Sequence, residues 1–78
     1  MNQVQFLLNT LNPKELEVYV LLLDGQTSKA IADQLALSYH TIKTHRSNIY
    51  RKLGVKTTPQ LIVNHLQWNA QNTLPNTQ

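Results

Sequence analysis

The stretch Ser38–Val55, SYHTIKTHRSNIYRKLGV, constrains this chain more than any other. It reads as one helix with a signal at each end. Ser38 carries the short hydroxyl that caps a helix N-terminus. Gly54 best tolerates the left-handed turn that ends a helix. Between them Ile42, Ile49 and Leu53 share one stripe. At about 100° per residue, His40, Thr44, Ser47 and Arg51 fall on the opposite stripe, with Lys43 on its flank. One face is apolar; the other is polar, basic and free of acid. Five of the seven Lys and Arg lie between Lys43 and Lys56, and all four acids, Glu15, Glu17, Asp24 and Asp33, precede Gln34.

The chain has 78 residues and a net charge of +3 concentrated on that segment, which suits a polyanion better than a membrane. A merely solvated helix face usually mixes signs, and this one does not. A core of this size must come from local helix packing or be helped by a partner. There is no cysteine, so disulfides and thiolate metal sites are excluded. The longest apolar run, Val18–Leu23, falls far short of the roughly 18 residues that cross a bilayer. Met1-Asn2-Gln3 lacks the basic start of a signal peptide, so the expected location is cytoplasmic. With no carboxylate pair, no cysteine and no Gly-rich loop, an enzyme is not expected, nor is a cofactor.

Residues 1–10 are expected to form an arm or a short extra helix, with Phe6 laid on the core. Asn12-Pro13-Lys14-Glu15 is a stronger signal. Asn12 can cap, Pro13 fits the first helical position, and Glu15 can reach back to the Asn12 amide. The helix should run from Pro13 to about Leu23, with Leu16, Val18, Val20 and Leu22 among its apolar positions, and stop at Asp24-Gly25. Thr27 caps a second helix from Ser28 to about Leu35, with Ile31, Ala32 and Leu35 inward. A connection through Ala36-Leu37-Ser38 leads into the long helix. A short helix, a tight turn and a longer basic helix form the layout of a helix-turn-helix. Thr57 is the expected cap of a last helix, with Gln60 as its capping-box partner. Leu61, Ile62 and Leu66 are its inward positions, with His65 at the edge. The polar segment 70–78 is expected to be a disordered tail.

The pieces LNPKELEV, GQTSKAIA, LALSYHTIKTH and IYRKLGV stand in order between Leu11 and Leu61. Together they resemble the LuxR-type (GerE-like) helix-turn-helix domain over about two-thirds of the chain. The resemblance implies an all-α, four-helix bundle over residues 11–69. Its third helix, about Tyr39 to Leu53, would enter the major groove of double-stranded DNA, and its fourth would pair two subunits. Implied partners are DNA, a second copy, and RNA polymerase or another regulator. Met1 and the absence of a visible tag or linker favour a standalone bacterial regulator over an excised output domain. Two positions depart from the pattern. Ala30 stands where Glu is frequent, which removes half a capping box and weakens the second helix by a few tenths to about 1 kcal/mol. Pro59 stands where proline is rare.

On this footing Lys43 is the foremost candidate for a base contact, since its donors suit guanine O6 and N7. Thr44, Ser47 and His40 are further candidates, with simple exposure as the competing reading. Lys29, Ser38, Thr41, His45, Lys52 and Thr27 are phosphate candidates. For His45, about 60° off the apolar centre, a half-buried packing role competes. A metal role is poor, because His40 and His45 lie on different faces with no carboxylate after them. Arg46 points toward the apolar side and is predicted to turn back and pair with Glu17 or Glu15. Val63, Leu66 and Gln67 are the candidate dimer contacts, and Trp68 is open between core edge, dimer contact and exposure. The expected function is sequence-specific DNA binding in transcriptional regulation. The alternative is a protein-interaction module that pairs with a larger LuxR-type regulator and inhibits or modulates it.

Overall fold

Each helix starts where a side chain takes up one of its free amides. In the computed structural model the described residues are 7–73, with side chains described through Trp68. Four helices follow in order: α1 (Pro13–Leu23), α2 (Ser28–Leu35), α3 (Tyr39–Leu53) and α4 (Thr58–Thr73). Leu7 and Leu8 are helical as well, while Phe6 lies outside the described residues. Asn12 Oδ1 accepts the Glu15 amide at 2.7 Å, and Glu15 Oε1 accepts the Asn12 amide at 3.1 Å, a complete capping box. Thr27 accepts from the Ala30 amide, Ser38 from the Thr41 amide and Thr57 from the Gln60 amide. Gln60 does not complete its box. Its carbonyl reaches one residue further back, to the Lys56 amide at 2.8 Å.

The interior is built from one stripe of each helix. Val18, Tyr19 and Leu22 of α1, Ile31 and Ala32 of α2, Ile42, Ile49 and Leu53 of α3 and Leu61 of α4 are buried together with Leu11 and Val55. Helix α3 lies across both α1 and α2, while α4 packs chiefly on α1. The turn between α2 and α3 rests on Ala36, whose φ of 57° and ψ of 42° are left-handed. That geometry lets the Leu37 amide reach back to the Ala32 carbonyl at 3.0 Å and puts Leu37 against the core. The sequence carries no glycine there to announce it. Gly54, at φ 73°, ends α3 in the same conformation at no steric cost.

Two expectations need correction. Leu66 does not face inward; it is 61% exposed, because Leu61 and His65 occupy the turn that meets α1. The segment assigned to a tail from residue 70 is helical as far as Thr73. Between Pro59 and Pro75 the sequence holds neither proline nor glycine to interrupt a helix.

Candidate nucleic-acid interface

Helix α3 presents to solvent the edge that its periodicity predicts. His40, Lys43, Thr44, Ser47 and Arg51 are exposed, while Ile42, Ile49 and Leu53 are buried beneath them. No acid lies anywhere on α3. The edge is held rigid from behind at three points, and each uses a polar contact as well as apolar packing.

The first point is Glu15, 2% exposed at the base of α1. Its Oε1 accepts the Lys52 ammonium at 2.7 Å and the Asn12 amide, and the same ammonium donates to the Thr10 carbonyl at 3.0 Å. Burial alone would raise the Glu15 carboxyl. The Lys52 hydrogen bond, the Asn12 amide and the charges of Lys52 and His45 together outweigh it and hold the group below its ordinary value. The Lys52 ammonium thus joins α3 to α1 through two of its three donors, and 28% of the side chain stays exposed.

The second point is Arg46, whose Nη1 donates to the buried Ser28 hydroxyl at 2.5 Å. The expected pairing with Glu17 or Glu15 is not made. Glu15 is taken by Lys52, and Glu17 pairs with Lys14 at 2.8 Å on the exposed side of its own helix. Arg46 does have the structural role expected of it, but on α2, so it fastens the two helices of the turn to each other. The third point is Tyr50, whose hydroxyl meets that of Thr58 and links the end of α3 to the start of α4.

The phosphate candidates separate on their hydrogen bonds. Thr27 uses an oxygen lone pair to accept the Ala30 amide, so its hydroxyl proton is available to an outside acceptor. The Ser38 hydroxyl shares a hydrogen bond with Thr41 Oγ1 at 2.8 Å and accepts the Thr41 amide. The two hydroxyls thus stand together at the first turn of α3. Lys29 is exposed on α2. His45 is half-buried, and its Nδ1 is enclosed without a hydrogen-bond partner among the described residues. Only its other ring nitrogen can face outward. Sequence reasoning passed over Tyr39, which is 52% exposed at the first turn of α3, with the Lys43 ammonium 5.4 Å from its ring centroid. The i, i+4 spacing was the available signal.

Away from α3, the outer side of α4 exposes Val63 (51%), Leu66 and Gln67, the three residues expected to meet a second subunit. Its inner side is held by Tyr19, whose hydroxyl bonds His65 Nδ1 at 2.5 Å with the rings edge to face. Burial pushes the Tyr19 hydroxyl up to about 12 and the His65 imidazole down from its ordinary value. No helix among the described residues is long and apolar enough to cross a membrane. No group of three metal-ligating side chains is found among them.

The profile of the GerE family, bacterial regulatory proteins of the luxR family, matches residues 9–64. The transcriptional regulatory protein TdiR of Thauera aromatica is 43% identical over 56 residues, 72% of this chain and 25% of TdiR. The uncharacterized response regulatory protein YgeK of Escherichia coli (strain K12) is 46% identical over 54 residues, 69% of this chain and 37% of YgeK. The spore germination protein GerE of Bacillus subtilis (strain 168) is 42% identical over 57 residues, 73% of this chain and 77% of GerE. The matched region is thus a minor part of TdiR and YgeK and most of GerE. No solved structure gave a significant match.

Proposed function

The chain belongs to the luxR family of bacterial regulatory proteins, and from that premise we propose that it binds specific double-stranded DNA as a transcriptional regulator in the bacterial cytoplasm. The observation that carries the reading is the outward edge of α3. It is continuous, free of acid, and fastened from behind to α1 and α2 by contacts that leave Lys43, Thr44, Ser47 and His40 uncommitted to the core. Lys43 reads a base edge, with Thr44, Ser47 and His40 beside it. Lys29, Thr27, Thr41 and the outward nitrogen of His45 hold phosphates. Phosphate contacts give the affinity, which falls steeply with salt, and base contacts give the preference.

A second copy pairs through Val63, Leu66 and Gln67 of α4, so that two α3 helices meet half-sites about one helical turn apart on a pseudo-palindrome. The exposed Val63 and Leu66 also suit the rival reading, a module that pairs with a larger regulator of the same family. The α3 edge favours DNA, because a module acting only through α4 has no use for it.

Selection of bound duplexes from a random pool, with stoichiometry measured on the selected site, tests the proposal. A two-fold-related consensus bound by two chains is expected, and Lys43→Ala should abolish or relax the preference. Failure to enrich any sequence, together with capture of a larger regulator that then loses its own DNA binding, would favour the rival.

A further inference from the structure

The Tyr39 ring lies outside the buried core. It is 52% exposed, it is absent from the buried cluster, and it follows directly on the Ser38 cap. It also lines a hollow of about 460 Å³ with Lys29, Ala32, Asp33 and Leu37, on the side of α3 that turns toward α2. One turn further along, the Lys43 ammonium lies 5.4 Å from the ring centroid. Helical side chains lean toward the N-terminus, so the Lys43 stem comes back over the residue four positions earlier. The acids in ion pairs among the described residues, Glu15 and Glu17, are joined to Lys52 and Lys14 and not to Lys43.

The type of partner matters. A carboxylate would neutralise the ammonium and occupy its donors. An aromatic face attracts the cation through its quadrupole and leaves both the charge and the N–H groups available. A lysine is otherwise a point charge on a flexible stem, and freezing that stem on DNA costs affinity. On a groove-facing helix it can also drift to whichever phosphate is nearer.

We propose that Tyr39 is a positioning residue for Lys43: its ring holds the ammonium at the leading end of α3, so that Lys43 meets a base edge rather than a phosphate. This rests on the reading that α3 enters the major groove. It adds that the discrimination achieved by Lys43 depends on an aromatic ring at position 39.

The test measures affinity for a selected site and for a scrambled duplex by fluorescence anisotropy, with the melting temperature of each variant alongside. Tyr39→Phe keeps the ring and should bind both duplexes as the wild type does. Tyr39→Leu should lose about two- to fivefold on the selected site, the range of an exposed cation–π contact, and little on the scrambled one. In a Lys43→Ala background Tyr39→Leu should have no further effect. The proposal is overturned if Tyr39→Leu binds the selected site as tightly as wild type, if it weakens both duplexes equally, or if its loss persists without Lys43. It is overturned too if Tyr39→Phe behaves like Tyr39→Leu, since the hydroxyl would then be the acting group. A wild-type protein that does not distinguish the two duplexes removes the underlying reading, and this one with it. A wild type that discriminates while Tyr39→Leu is unaffected removes this one alone.

Discussion

Replacing Glu15 by alanine tests how α3 is held. The substitution removes a charge-assisted hydrogen bond to Lys52, contributing about 1.5–3 kcal/mol, and the half of a capping box that satisfies the Asn12 amide, about 1 kcal/mol more. Lys52 keeps 28% of its side chain exposed and can turn to water, which places the sum toward the lower end, about 2–4 kcal/mol. For a domain of this size that is a drop of roughly 10–25 °C in melting temperature by circular dichroism. The control is Glu17→Ala. Its exposed pair with Lys14 contributes about 0.5 kcal/mol or less, so the shift should be a few degrees at most. Lys52→Ala should be worse than Glu15→Ala, because it leaves a 2%-exposed carboxylate with no cation. The reasoning is refuted if Glu15→Ala melts as close to wild type as Glu17→Ala, or if Lys52→Ala proves the milder change.

Acid should reveal the same contact. The folded Glu15 carboxyl sits below its ordinary 4.5, so its contribution is complete above that pH and is lost as pH falls through the lower folded value. Melting curves across this range should show the loss in wild type and not in Glu15→Gln. His65 behaves likewise nearer neutrality. Burial favours its uncharged form, so stability should decline as pH falls from about 6.5 toward the folded value, and His65→Gln should flatten that slope. Tyr19→Phe removes the hydroxyl bonded to His65 and should cost about 1 kcal/mol, read as a melting shift at neutral pH. Ala36→Gly should raise stability by about 0.5–1 kcal/mol, since an L side chain is held at φ 57° there; an unchanged or lower melting temperature would show that the turn is not strained.

What the sequence disclosed follows from the range of the chemistry involved. The first three helices begin where Asn12, Thr27 and Ser38 indicate, and the third ends at Gly54, because caps are agreements between residues within one turn. The outward edge of α3 was equally legible, since periodicity alone sorts its two faces. The partners of Arg46 and Lys52 were not. A helical wheel shows which way a side chain leaves its helix but not which turn of the neighbouring helix it meets. That depends on crossing geometry, which follows from how the whole buried cluster packs. So Arg46 reached Ser28 instead of an acid, and Lys52 reached the acid that Arg46 was expected to take. The corner at Ala36 was hidden for another reason: alanine seldom adopts the left-handed conformation and gives no sign when it does.

Because α4 rests chiefly on α1, its outward residues lie apart from the outward edge of α3. Substitutions that share no neighbours add in free energy without coupling. Substitutions at Val63, Leu66 or Gln67 and substitutions at Lys43, Thr44 or Ser47 should therefore add in folding free energy, so that either face can change without unsettling the other. Under the proposed function, pairing through α4 and sequence preference through α3 would then be free to change at separate positions of one small fold.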